Sequence, residues 1–182
     1  DDYMDLAACG IVADMCDLSE NSMENRYIVK CGLNSLKNEA LKAIIGGFKF
    51  NSTAVSFSVA PLINAANRTN NNNIIIDALM SDNKKEATRY VRLLKKCKDE
   101  QNKSIDSMID NIKQQAENQI SNKCMFLHIE SAHEISGLIG NKLLPIYQRP
   151  LIVLRERQIK GEDYYVGSSR AVGVKDFREM CE

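Results

Sequence analysis

Histidine, tryptophan and proline are scarce in this sequence: two, none and three among 182 residues. The two histidines, His128 and His133, are not adjacent, and both read as structural or solvated. The six cysteines, at 9, 16, 31, 97, 124 and 181, form no Cys-x-x-Cys pair, which argues against a zinc site. They read instead as buried thiols in a reducing compartment, so a cytoplasmic protein is expected. Aromatic residues make up 6%, so base stacking falls to Tyr147, Tyr164, Tyr165 and few others, each equally readable as core. No apolar run approaches the roughly 18 residues of a membrane span, and no membrane partner is expected. No charged-then-apolar leader is visible, so no secretory signal is expected. The chain starts with Asp1 and Asp2 rather than Met, and an excised piece of a longer protein is the expectation.

What is present is a globular composition, 44% apolar and 26% charged, enough for one ordinary domain or two small ones. The net charge of zero conceals an asymmetry. Residues 1–25 hold seven acids and no Lys or Arg. Residues 84–103 hold eight bases against Glu86, Asp99 and Glu100. Residues 141–160 hold Lys142, Arg149, Arg155, Arg157 and Lys160 against Glu156. Separated acidic and basic segments fit a protein that holds cations in one place and polyanions in another. Ordinary solvated faces would give the same composition.

Apolar spacing predicts a helix over 6–13 interrupted by Gly10, a second over 23–37 and a short third over 41–45 ended by Gly46 and Gly47. Val55, Phe57 and Val59 alternate as in a strand, with Pro61 as its interruption and a helix starting near Ile63. Asn70 to Asn73 reads as a polar turn, and 74–80 as a short helix. From 83 to 119 runs a helical pattern without Gly or Pro, apolar at both ends and wholly polar over 98–104. Such a waist fits a bridge between two packed bodies, with a coiled coil as the competing reading. The last sixty residues alternate strand and helix: a strand at 124–127, a helix over 134–147, and strands at 150–154 and 164–166. That order implies an α/β layer.

Three stretches carry candidate chemistry. Asp5-Leu6-Ala7-Ala8-Cys9-Gly10-Ile11-Val12-Ala13-Asp14 ends an apolar helix on a carboxylate, which if buried needs a partner or a metal. Capping of the next segment is the other reading of Asp14. In the middle stands Phe57-Ser58-Val59-Ala60-Pro61-Leu62-Ile63-Asn64-Ala65-Ala66-Asn67-Arg68. Near the end stand Ile135-Ser136-Gly137-Leu138-Ile139-Gly140-Asn141-Lys142-Leu143, then Tyr147-Gln148-Arg149-Pro150, then Tyr165-Val166-Gly167-Ser168-Ser169-Arg170-Ala171. In the last, Gly167 permits close backbone approach, and Ser168, Ser169 and Arg170 bring two hydroxyls and a guanidinium suited to a phosphate. A strand ending in a ligand-facing turn is expected there, and a turn without a ligand is the plainer alternative.

In this order and spacing the segments resemble the RecJ-type single-strand-specific exonucleases of the DHH phosphoesterase superfamily, in a variant that looks phage-type. The resemblance implies a 5′-to-3′ exonuclease on single-stranded DNA, using two Mn²⁺ or Mg²⁺ ions to activate water and stabilise the scissile phosphate. Asp14 falls on the last metal motif. Gly167, Ser168 and Arg170 match a Gly-Ser-x-Arg-Ser turn near the terminal phosphate, and Ser169, Asn64 and Arg68 join the expected phosphate contacts. The sequence departs from the pattern at Leu62, where an Arg is expected, at Asn67 for Gly and at Ala171 for Ser. It has no Asp-x-Asp, no Asp-His-His and no glycine-rich His segment. The implied architecture is α/β. Residues 1–81 form the helical C-terminal part of a metal-binding DHH domain, 82–119 a bridging helix, and 120–182 most of the DHH-associated substrate domain. DNA is expected to pass between the two, along the basic bridge and the 141–160 strip. A nanoRNase or nucleotide phosphatase of the same superfamily, and a non-catalytic nucleic-acid-binding scaffold on the same fold, are the alternative functions.

Overall fold

The longest element lies inside the longest stretch free of Gly and Pro, residues 62–136. In the computed structural model, which describes residues 2–131 and 134–173, helix α7 runs unbroken over the 34 residues Lys84–Glu117. His133, Asp1 and Cys181 lie outside the described residues, as does Asp176, an acid six positions after Arg170. The chain divides into two compact units, Asp1–Gln101 and Asn102–Glu182, and α7 contributes to both.

The first unit is helical: α1 (Met4–Ala13), α2 (Met23–Leu33), α3 (Glu39–Ile45), α4 (Ser52–Ala54), a π-helical segment Val55–Val59, α5 (Ala60–Arg68) and α6 (Asn72–Leu79), followed by the start of α7. Gly10 does not interrupt α1, and α6 begins inside the asparagine run. The expected strand at 55–59 is instead the π-helical link between α4 and α5. Pro61 offers no N–H to the carbonyl one turn before it, and the helix widens just ahead of it. Alternating β-branched residues mimicked a strand, but Val55 and Val59 are both buried, one helical turn apart. They pack with Cys9, Leu41, Ile45 and Phe50. A second cluster joins Ala40, Ala66 and Ala78 to Ala87, Val91, Leu94 and Cys97, the inward stripe of α7.

The second unit is an α/β layer. Strand β1 (Met125–His128) lies parallel to β2 (Leu151–Ile159), connected through α8 (Ser136–Tyr147), and β2 turns back into antiparallel β3 (Glu162–Arg170). Lys160 and Gly161, with φ of 54° and 86°, close the hairpin in two residues. Positive φ at both positions is the geometry that matches strand twist. One sheet face, through Met125, Leu127, Leu151 and Val153, packs on Ile135, Ile139 and Leu143 of the α8 region and on Ile105, Ile112 and Ala116 of α7.

The outer edge of β1 is occupied. Gln115 accepts from the His128 N–H at 2.8 Å and donates to its carbonyl at 3.0 Å. Gln119 does the same for Phe126, at 2.9 and 2.7 Å. Two amides one helical turn apart thus replace a neighbouring strand. The polar waist of α7 is not wholly solvated either. Gln101 is buried, accepts from Lys98 Nζ at 3.1 Å and leaves its Nε2 without a hydrogen-bond partner among the described residues.

Candidate nucleic-acid interface

The Gly-Ser-Ser-Arg stretch is strand rather than turn. Gly167, Ser168, Ser169 and Arg170 pair with Leu154, Val153, Ile152 and Leu151. Alternation along a strand therefore sends Ser168 and Arg170 to the α8 face and Gly167 and Ser169 to the other. The glycine serves the sheet: a Cβ on Gly167 would collide with the Val153 carbonyl, so the close approach is to β2. Ser169 is exposed, and its carbonyl accepts from Arg170 Nη1 at 2.7 Å.

On the α8 face a polar cluster forms. The Ser136 and Ser168 hydroxyls lie 3.0 Å apart, and Ser136 is buried. Arg170 donates from Nε to Asn141 at 2.6 Å and from Nη2 to the Gly137 carbonyl at 3.5 Å. A Cβ on Gly137 would lie 3.0 Å from Arg170 Nη2 and 3.3 Å from Ser168 Oγ, so the glycine keeps this space open. Arg170 forms no ion pair among the described residues, and Asp163 does not neutralise it. Three of its five N–H donors are used. The first residues of α8 supply the positive end of a helix, and the N-cap residue, Ile135, has no side-chain oxygen to cap it. A guanidinium with no ion pair among the described residues, two hydroxyls and a helix N-terminus form an arrangement able to hold an anion. Sequence reasoning pointed to the 135–143 stretch but gave Ser136, Gly137 and Asn141 no role in this cluster. It also missed the buried Arg155, on the same sheet face and 3.4 Å from Glu134. The signal available was the small-residue start of α8, Ser136-Gly137.

The other expected residues lie in the first unit. Asp14 and Asn64 both line a cavity of about 240 Å³ whose walls include Leu6, Leu41, Val55 and Ile63. Arg68 sits one turn beyond Asn64 on α5. Asp14 is exposed and stands at the C-cap of α1, where its N–H reaches the Gly10 carbonyl. The buried acid of α1 is Asp5, and it is fully engaged by protein donors. Its oxygens accept from the N–H groups of Leu6 at 2.9 Å, Lys37 at 2.8 Å and Asn38 at 2.7 Å.

The acidic first segment does not assemble a cation site among the described residues. Asp17 accepts from Ser19 N–H, Ser19 Oγ and Ser22 Oγ, each at 2.8 Å. These bonds, led by the Ser19 N–H, lower its pKa. Asp2 pairs with Lys37. No three His, Cys, Asp or Glu side chains converge as metal ligands among the described residues. A pair of divalent ions therefore does not fit the donors described in this chain, because Asp14 is a single solvated carboxylate.

The cysteines divide differently from expectation: Cys9 and Cys97 are buried, Cys31 and Cys124 partly so, and Cys16 is exposed. His128 is solvent-facing, its ring edge-on to Tyr165 at 6.0 Å between centroids. Tyr164 and Tyr165 donate to Glu162 and Glu156, which raises both phenol pKa values. Tyr147 packs against the second unit's core. Among the described residues no helix is long and apolar enough to cross a membrane.

No family model matches the chain. It is 27% identical over 211 residues to YorK, a prophage-derived single-strand DNA-specific exonuclease of Bacillus subtilis strain 168, a match covering 97% of this chain and 36% of YorK. It is 29% identical over 193 residues to the single-stranded-DNA-specific exonuclease RecJ of the same organism, covering 100% of this chain and 24% of RecJ. In three dimensions it superposes on the Mn²⁺ complex of Thermus thermophilus RecJ with a TM-score of 0.73 at 26% identity, over 85% of this chain and 24% of that one. The Mg²⁺ complex of the same protein gives a TM-score of 0.72. The chain thus resembles RecJ-type exonucleases in sequence and in its mixed helix-and-sheet fold, and spans about a quarter to a third of these relatives' length.

Proposed function

We propose that this chain is the substrate-holding portion of a metal-dependent, 5′-to-3′ exonuclease of single-stranded DNA, working in the cytoplasm. In this reading residues 1–81 are the C-terminal part of the metal-binding domain, with Asp14 one ligand of a divalent pair whose remaining ligands come from elsewhere in the protein. Residues 82–119 are the link, and 120–182 grip the strand. The names of the relatives and the metal complexes of RecJ support the activity. The single observation that carries the assignment of the grip is Arg170. Among the described residues it is held by Asn141, Ser169 and Gly137 through neutral oxygens only, beside Ser168 and the start of α8. A guanidinium positioned without a carboxylate is available to a phosphate, with charge-assisted hydrogen bonds.

The test compares oligonucleotides with and without a 5′-phosphate. Arg170→Ala is expected to weaken single-strand binding by about 1.5–3 kcal/mol and to abolish the preference for the phosphorylated end. Arg170→Lys is expected to restore charge but not the bidentate discrimination. Unchanged affinity with a lowered melting temperature would mean that Arg170 only pins α8 to β3.

A further inference from the structure

We propose a second polyanion site on the outer face of the first turns of α7, a track for the phosphate backbone of single-stranded nucleic acid. Lys85, Arg89, Arg92 and Lys96 follow one another at helical spacing, and at about 100° per residue they fall within an arc of roughly 60°. The arc is diametrically opposite the buried stripe of Ala87, Val91 and Leu94. All four are exposed. They form a single row about 16 Å long, with one cation per helical turn. The row ends where Asp99 and Glu100 enter the sequence, and Lys96 there pairs with Glu100 at 3.7 Å.

Three observations separate this row from an ordinary solvated face. Lys85, Arg89 and Arg92 form no ion pair among the described residues. The 141–160 bases behave otherwise: Lys142 pairs with Asp106, Arg155 and Arg157 share Glu134, and Arg149 donates to the Asn122 carbonyl. That second basic segment is therefore largely satisfied within the protein. Next, Lys84 and Lys85 stand in the first turn of a long helix, where the macrodipole disfavours positive charge, with Glu86 the acid of that turn and Asp82 just ahead of it. Finally, the whole chain has zero net charge, so the row is a local concentration and not a consequence of a basic composition. The row is made of four cations, with the half-buried Tyr90 ring 5.8 Å from the Arg89 guanidinium and Leu93 36% exposed beside it. An unbroken line of cations with its apolar neighbours to the side favours a regularly spaced polyanion over an acidic protein.

The proposal rests on the reading that the chain binds single strands, and the two fail differently. Binding of a labelled oligothymidylate to the 182-residue chain is measured by anisotropy across a sodium chloride series. The variant Lys85→Gln/Arg89→Gln/Arg92→Gln is compared with a charge-matched control at exposed sites elsewhere, Arg26→Gln/Lys30→Gln/Lys49→Gln. Circular dichroism verifies that both fold. The α7 variant is expected to lose about tenfold or more in affinity at low salt. Its slope of log K against log salt should become shallower by about 2, at about 0.7 per phosphate contact, while its 5′-phosphate preference stays. The control is expected to match the unsubstituted chain. An unchanged slope in the α7 variant, or an equal fall in the control, overturns the track while leaving single-strand binding in place. An unsubstituted chain that ignores the oligonucleotide sinks both readings. Polyglutamate that binds the unsubstituted chain as well as the oligonucleotide does, and not the α7 variant, would assign the face to an acidic protein instead.

Discussion

Two aspartates at the ends of one short helix meet opposite fates, and the difference is a matter of donors. Asp14 looked like the buried acid because it closes an apolar run, yet it is solvated. Asp5, at the helix start, is the buried one, and it receives the two N–H groups that lead into α3. Asn38 extends the network by capping α3 through Ala40 and Leu41 and donating to the Leu79 carbonyl. Asp5→Ala is therefore expected to cost about 2–4 kcal/mol in urea denaturation, because it strands buried donors. Asp14→Ala should cost almost nothing in stability. Beside Asp5 lies Cys9, whose thiol is pushed from 9.0 up to about 12, first by burial and then by the Asp5 charge. Between those two values the folded thiol keeps its proton while the unfolded one loses it. The unfolded state then binds fewer protons, so stability falls as pH rises from about 9 towards 12. Raised tyrosines share this window, so the comparison is with Cys9→Ala: urea midpoints at pH 8 and 10 should diverge less in the variant than in the parent. Equal divergence would remove Cys9 from the alkaline limb.

At the scale of elements, legibility depended on whether the signal was local. Helix α7 was plain in the sequence, since Ala87, Val91, Leu94, Ile105 and Ile112 keep helical spacing over a run with nothing to break it. The strand–helix–strand order of the second unit was plain for the same reason. The π-helical segment was not, because a two-residue alternation and a widened helical turn place the same residue types in line. The Gly-Ser-Ser-Arg stretch was misread because Gly167 and the hydroxyls are ordinary turn residues. Only the pairing with β2 reveals that the glycine relieves a collision with Val153. The glutamine clasp had no sequence signal, since Gln115 near the end of α7 and Gln119 in the turn after it are ordinary solvated residue types until β1 lies beside them. Its energetic content can be measured. Gln115→Ala/Gln119→Ala removes the four hydrogen bonds to β1 and the one from Gln115 to Asn111, expected to cost about 2–4 kcal/mol in urea melts. It also bares an edge strand, so concentration-dependent association in sedimentation should follow. Gln→Glu at both positions should be no rescue, because an ionised carboxylate cannot donate to the Phe126 and His128 carbonyls. A double variant that melts and sediments like the parent would show that water replaces the clasp without loss.

For the whole molecule, the proposed function separates holding from cutting. Single-strand chemistry of the expected kind needs two cations fixed near the scissile phosphate, which requires several carboxylates and imidazoles converging within a few ångströms. The described residues contain no such convergence, and the acids nearest to one are taken by N–H, hydroxyl and lysine donors. What they do contain is positive charge in two different settings, an exposed helix face and a half-buried strand end backed by a helix start. The 182-residue chain is accordingly expected to bind oligonucleotide without hydrolysing it. Binding that rests on Lys and Arg needs no metal, so a chelator should leave affinity unchanged once ionic strength is matched, and added Mn²⁺ should only compete as a counter-ion. In a longer protein that supplies the missing ligands, the expectation reverses for turnover alone: chelation abolishes cutting, Asp14→Ala abolishes cutting with little loss of binding, and the α7 and Arg170 substitutions raise the substrate concentration needed. The measurement is a gel assay of a 5′-phosphorylated single strand with purified chain and Mn²⁺, run beside anisotropy with and without chelator. Mn²⁺-dependent shortening of the strand by the 182-residue chain would contradict the division of labour at its root. Binding that collapses on chelation would place a cation in the grip itself.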